Sequence, residues 1–307
     1  MPLLEVNNLS VAFARYAGGF QRRMEQAIVG LDLSVEAGEI VAVIGSSGSG
    51  KSLLAHAVLG ILPGHAQVTG TIQYDGEPLN ERRIAALRGN EIVLVPQSVS
   101  FLDPLQRVGA QVRTTARGTD PAATVRSVFK RLRLAEAVGR LFPFQLSGGM
   151  ARRVLVSTAA VSAARLIVAD EPTPGMQAED VNETLSMLRE MADKGSGVLL
   201  ITHDIEAALR VADKVAVFYA GTTVELAKAA DFAGDGSNLR HPYSRALWQA
   251  LPRNGFKPLP GTQPSQDELP SGCLFAPRCP FATEACSAER PAIREVRGGW
   301  TRCFHAS

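Results

Sequence analysis

Gly45-Ser46-Ser47-Gly48-Ser49-Gly50-Lys51-Ser52 decides how this chain is read. The eight residues fit the pattern G-x-x-x-x-G-K-S in full. Before them stands the apolar run Glu39 to Ile44; after them, Leu53 to Leu62 has helical character. A buried strand, a glycine-rich turn and a helix form a βα unit whose turn points backbone N–H groups at an anion. The glycines let the backbone curl, Lys51 neutralises β- and γ-phosphate charge, and Ser52 is placed to ligate Mg²⁺. A chance Gly/Ser loop followed by lysine would not come with both flanks in agreement.

Outward from the loop, the strand candidates are Thr69 to Tyr74, Glu91 to Val95, Leu166 to Ala169, Val198 to Ile201 and Lys214 to Tyr219. Helical patterns occupy 120–138, 150–164, 178–191 and 205–212. Strands alternating with helices predict a largely parallel sheet covered on both faces. Upstream, Leu3 to Val6 and Leu9 to Phe13 read as an opening strand region, and Arg15 to Gln26 as an exposed loop or hairpin. Strand 166–169 runs straight into Asp170-Glu171. Adjacent carboxylates at a strand end can hold Mg²⁺ through water (Asp170) and orient or deprotonate an attacking water (Glu171). Alone they would equally open a helix; behind a phosphate loop they gain meaning.

A net charge of +2 with 20% charged residues leaves no electrostatic argument for a nucleic-acid partner. No apolar run approaches the length of a membrane span, and the first residues lack the basic and apolar regions of a secretory signal. Any membrane attachment is therefore expected through protein partners. All four cysteines lie beyond residue 272, at Cys273, Cys279, Cys286 and Cys303. That clustering points to one local site and not to a disulfide framework. Pro258, Pro260, Pro264 and Pro270 mark the preceding stretch as an irregular linker.

Leu146-Ser147-Gly148-Gly149-Met150 precedes a helix upstream of Asp170. By chemistry alone, Ser147 caps that helix and its amides can meet phosphate. With the phosphate loop, the stretch resembles the LSGG signature of ABC-transporter nucleotide-binding domains. The resemblance covers about residues 3 to 250 and implies an α/β P-loop NTPase fold. That fold has a RecA-like core, an antiparallel β subdomain, a helical subdomain at about 98–164 and, here, a small C-terminal cysteine module. It implies ATP bound by Gly45, Ser46, Ser47, Gly48, Ser49, Gly50, Lys51, Ser52 and Leu53, with Phe13 or its neighbour Tyr16 stacked on adenine. Gln97 resembles the Q-loop residue that senses Mg²⁺, alongside Ser52 and Asp170, and His203 resembles the switch histidine near the γ-phosphate. Lys51, Gln97, Glu171 and His203 would be catalytic, while Ser147, Gly148 and Gly149 would complete the site of a second ATPase subunit. Where the family has a small–small–Leu–Asp-like loop, this chain reads Pro174-Gly175-Met176-Gln177. Glutamine keeps hydrogen bonding but not the charge, which favours a heterodimer with a related ATPase.

His241-Pro242-Tyr243-Ser244-Arg245-Ala246-Leu247, the proline-rich stretch and the spacing C-x5-C-x6-C-x16-C resemble the extension of oligopeptide/dipeptide importer ATPases, a group that includes nickel and metallophore importers. The resemblance divides the chain into an ATPase domain, 1–250, and an extension, 251–307. It implies an ATPase on the cytoplasmic face of the inner membrane, energising import of small peptides. Two permease subunits and, indirectly, an extracytoplasmic substrate-binding protein complete the expected assembly. The alternative cargo is nickel or a metal–opine chelate. For the cysteines it implies a [4Fe–4S] cluster, with Zn²⁺ as the alternative and free or disulfide-bonded thiols as the plain reading. Soluble ABC ATPases of DNA repair or translation fit less well, because neither a long coiled-coil insertion nor a second ATPase domain is visible. A regulatory subunit that holds ATP without useful hydrolysis is a third possibility, kept open by Gln177.

Overall fold

Two sheets frame the chain. The computed structural model describes residues 1–16 and 22–306, without the side chains of Arg15, Tyr16, Arg22 and Arg23. The first sheet is antiparallel and contains β1 (Leu4–Tyr16), β2 (Arg22–Val35), β4 (Ala66–Tyr74) and β5 (Glu77–Pro78), in the order β2-β1-β4-β5. The second holds β3 (Ile40–Gly45), β6 (Ile92–Val95), β7 (Leu166–Asp170), β8 (Gly197–Ile201), β9 (Lys214–Tyr219), β10 (Thr222–Lys228), β11 (Arg294–Val296) and β12 (Gly299–Thr301). Their order is β11-β12-β10-β9-β3-β8-β7-β6. Pairing is parallel from β9 to β6 and antiparallel among β9, β10, β12 and β11. The expected parallel sheet is therefore present, with an antiparallel edge added to it.

Both faces of the parallel strands are covered, so their sequences are continuous apolar runs whose alternate residues enter different cores. Val41 and Val43 join Val168, Leu199 and Ile201 beneath the antiparallel sheet and α1 (Lys51–Val58). Ile167, Ala169, Val198 and Leu200 face the opposite way. There they meet residues of α5 (Gly148–Ala160) and α6 (Ala178–Asp193). Between α1 and α5 lie α2 (Glu81–Leu87), α3 (Val108–Thr115) and α4 (Pro121–Arg131). Helices α3, α4 and α5 form the helical subdomain, packed through Val112, Phe129 and Val154. Helix α4 opens with Asp120 as cap and Pro121 in the first turn, and it stops short of the expected residue 138. Arg133 adopts φ 52°, and a left-handed residue cannot continue a right-handed helix.

The C-terminal residues dock on the core. Helix α7 (Ile205–Leu209) lies between β8 and β9, and α8 (Pro242–Gln249) and α9 (Glu284–Ala288) follow the sheet's edge. Leu274 and Phe275 are buried with Ile44, Val217, Tyr219 and Tyr243 in a third core. The Phe275 ring packs edge-on to Tyr219 at 5.3 Å. Strand β12 pairs with β10 through Glu225 opposite Thr301 and Leu226 opposite Trp300. Arg240 ties this edge down: it reaches Glu225 at 3.2 Å and Asp231 at 2.9 Å and donates to the carbonyls of Val296 and Arg297. A segment too short for its own core is thus stabilised by a core it borrows.

Candidate functional site

Strand β3 is buried along its length and delivers the chain into the phosphate loop at Gly45. A Cβ at Gly45 would come within 2.3 Å of the Phe218 carbonyl oxygen, so only glycine fits that close approach. Gly50, at φ 94°, makes the left-handed turn into α1. Lys51 is buried and donates to the carbonyls of Gly45 and Ser46, both at 2.9 Å. Burial pulls its ammonium below the usual lysine range, opposed by the carboxylates of Glu171 and Asp170.

Across the loop, Ser52 Oγ donates to Asp170 Oδ1 at 3.2 Å. Burial holds the Asp170 carboxyl above the usual range, with Ser52 and Lys51 pulling the other way and Glu171 adding to the rise. Hydroxyl and carboxylate oxygens are the donor set that a hard cation such as Mg²⁺ takes. Glu171 follows at φ 48°, a conformation that costs a non-glycine residue about 1–3 kcal/mol. Its backbone N–H is held by the Ile201 carbonyl at 2.9 Å, and its Oε2 lies 2.8 Å from His203 Nδ1.

These groups converge on one cavity of about 530 Å³, lined by residues 47–53 with Gln97, Glu171, Pro174, His203 and Gln266. The structure therefore brings together Ser47, Gly48, Ser49, Gly50, Lys51, Ser52 and Leu53 with Gln97, Glu171 and His203. Asp170 adjoins through Ser52. Phe13 is not among the lining residues; its ring meets His65 edge-on at 5.7 Å. The side chain of Tyr16 lies outside the described residues. The signature stretch is also elsewhere: Ser147 caps α5, accepting from Met150 N–H at 3.3 Å, and a Cβ on Gly149 would lie 3.3 Å from Gly175 O.

Residues 28–174 match the ABC transporter family, and 224–286 match the family described as oligopeptide/dipeptide transporter, C-terminal region. The chain is 33% identical to the oligopeptide transport ATP-binding protein OppD of Salmonella typhimurium, over 98% of this chain and 93% of that one. It is 33% identical to the dipeptide transport ATP-binding protein DppD of Escherichia coli, over 97% of this chain and 95% of that one. This chain belongs to the oligopeptide/dipeptide branch of the ABC transporter ATP-binding family. OppD of Mycobacterium tuberculosis is 35% identical over 96% of this chain, which spans only 50% of that relative's length. Among solved structures, an ATP binding subunit of an ABC transporter superposes with TM-score 0.63 at 26% identity, covering 75% of this chain and 91% of the other. A bacterial ABC transporter cassette solved as a dimer gives TM-score 0.64 at 24% identity, covering 74% and 98%.

Sequence reasoning missed three residues at this candidate site. Arg152, on α5, donates to the carbonyls of Gln97 at 2.6 Å and Glu171 at 2.8 Å, joining the Gln97 loop to the end of β7. Its position one turn into the helix after LSGG was the available signal. Gln263 and Gln266 belong to the proline-rich linker, which carries no motif; Gln263 Oε1 accepts from Ser46 Oγ at 2.5 Å.

Among the described residues nothing evidences the expected metal-binding role of the C-terminal cysteines. Cys273, Cys279, Cys286 and Cys303 are all free thiols near enough to perturb one another. Burial raises the thiols of Cys273, Cys279 and Cys303, and backbone N–H groups of Phe275, Phe281 and His305 partly offset it. Yet among the described residues no group of three or more His, Cys, Asp or Glu is arranged to hold a metal ion. Cys286 Sγ also meets His305 Nε2 at 3.4 Å and Thr283 Oγ1 at 3.5 Å.

Proposed function

We propose that this chain is the ATP-hydrolysing subunit of an importer of small peptides. The phosphate loop facing the Glu171–His203 pair across one cavity carries the proposal. When ATP enters, Lys51 exchanges the Gly45 and Ser46 carbonyls for phosphate oxygens, a better partner for its charge. Mg²⁺ held by Ser52, Asp170 and Gln97 would neutralise phosphate charge. Glu171 accepts a proton from the water that attacks the γ-phosphorus, whose bond to the bridging oxygen breaks as ADP leaves. An ionised Glu171 cannot donate, so His203 Nδ1 carries the proton they share.

Ser147, Gly148 and Gly149 sit away from their own loop, which supports their use in the site of a second ATPase subunit. Gln177 favours a related partner over an identical one. Phe13 is retained as the adenine-facing aromatic on sequence resemblance. Two permease subunits and an extracytoplasmic binding protein complete the proposed machine. Among the described residues no helix is long and apolar enough to cross a membrane. That supports attachment to the cytoplasmic face through the permeases. Residues 1–250 are proposed as the ATPase domain and 251–307 as the extension.

Peptide cargo rests on the printed names of the oligopeptide and dipeptide relatives; none reported above carries nickel or a metal chelate. Co-purification with the native membrane subunits, then transport of peptides against nickel and metal chelates, tests it. Uptake of chelates alone contradicts it. Donor chemistry and the proximity of the four thiols support Cys273, Cys279, Cys286 and Cys303 as ligands of a [4Fe–4S] cluster, with Zn²⁺ as the alternative. Iron and acid-labile sulfide in anaerobically purified protein test this, and zinc alone overturns it.

A further inference from the structure

Residues 259–269 of the linker arch over the phosphate loop, and both ends are fixed. Leu259 and Leu269 each pack against the third core, to which Phe275 and Tyr243 belong. Arg278 donates to the carbonyls of Pro260 at 2.9 Å and Leu259 at 3.3 Å and lies 3.4 Å from the Tyr219 hydroxyl on β9. Pro260 and Pro264 restrict the span, and a turn closed by Glu268 N–H on Ser265 O at 3.0 Å bends it back. Between the anchors, Gln263 accepts from Ser46 Oγ at 2.5 Å and Gln266 lines the cavity of the phosphate loop. Both glutamines are half-buried. Tyr243 of the third core lies close enough to Ser46 for the serine to act on its hydroxyl, so the same loop residue adjoins a second part of the C-terminal region.

We infer that this strap is part of the nucleotide site: Gln266 contacts the bound nucleotide through its side-chain amide, and Gln263 is a positioning residue for the phosphate loop. This rests on the ATP-site reading above. An amide is the side chain suited to the place, since it donates to phosphate or ribose oxygens without adding charge. A strap anchored before nucleotide arrives loses little entropy on contact. It also couples the cysteine-bearing segment to nucleotide occupancy, because Arg278 stands in that segment directly before Cys279.

Equilibrium titration of the full chain with a fluorescent ATP analogue tests the inference, with thermal unfolding to confirm that each variant folds. Gln266→Ala and Gln263→Ala are each expected to weaken binding by about five-fold, the worth of one ordinary hydrogen bond. Gln263→Glu keeps an acceptor for Ser46 but sets a negative charge against the phosphates. Its binding should be weaker still and should recover partly as salt is raised; a purely structural role would not give that salt dependence. Unchanged or tightened binding in both alanine variants overturns the inference. Lys51→Ala separates the two levels. If it weakens binding while the glutamine variants do not, only the strap fails; if it too is without effect, the ATP site fails with it.

Discussion

His203 Nδ1 stands 2.8 Å from Glu171 Oε2 because their parent strands, β8 and β7, are parallel neighbours that end together, with Asp170 paired to Ile201. Glu171 is buried whereas the His203 side chain is 69% exposed. The histidine is thus the movable member of the pair, and the carboxylate is fixed by its backbone. His203→Ala should lower kcat for ATP hydrolysis by about 10²-fold or more. Nucleotide affinity should change little. Steady-state kinetics beside direct binding checks both halves.

Arg152 holds two carbonyls of the site with one guanidinium nitrogen, and its Nε is buried without a partner. Arg152→Ala removes the link between the Gln97 loop and the Glu171 backbone, so kcat is expected to fall by about ten-fold while KM stays near its original value. Arg152→Lys should recover only part of the loss, since an ammonium lacks the planar fork. A change confined to KM would contradict this role.

Arg240 and Glu225 are both almost wholly buried, and Glu225 also accepts from the backbone N–H groups of Arg240 and His241. Removing the arginine strands the carboxylate. Arg240→Ala should cost about 3–5 kcal/mol of stability, read as a shifted midpoint in urea. Because Arg240 grips Val296 and Arg297, the hairpin β11–β12 should also become more susceptible to proteolysis.

His241 is buried and caps α8, its Nδ1 accepting from Tyr243 N–H at 3.0 Å. Burial lowers its pKa from 6.5 to about 3, against the pull of the Arg302 backbone. Between those values the unfolded chain binds a proton that the folded chain refuses. Stability is therefore fully present above pH 6.5 and is lost as pH falls, by up to about 1.4 kcal/mol per unit. His241→Asn keeps a capping acceptor and should flatten this part of the acid limb in chemical denaturation at pH 7 and pH 5. An equal slope in both proteins would contradict it.

The motifs were legible because each sits where two local signals agree. Gly45 to Ser52 follow an apolar run and open a helix, and Asp170-Glu171 end another such run. Their convergence followed from parallel order, which alternating strands and helices imply. The C-terminal contacts were not legible, since Thr301 opposite Glu225 depends on pairing between residues far apart in sequence. Gln263 and Gln266 were hidden for a related reason: an unpatterned glutamine acquires meaning only from what the folded linker lies against. The cysteines were legible as one local cluster, since their thiols perturb one another, but what they bind depends on geometry that spacing alone does not fix.

ATP hydrolysis at Glu171 is tested most directly by Glu171→Gln, with bound ATP and single-turnover phosphate release measured on the same preparation. The amide keeps the size of the side chain and a hydrogen-bonding oxygen but cannot take the proton from water. Binding should persist while release slows by about 10²–10⁴-fold. Release at the original rate, with ATP still bound, would contradict the assignment.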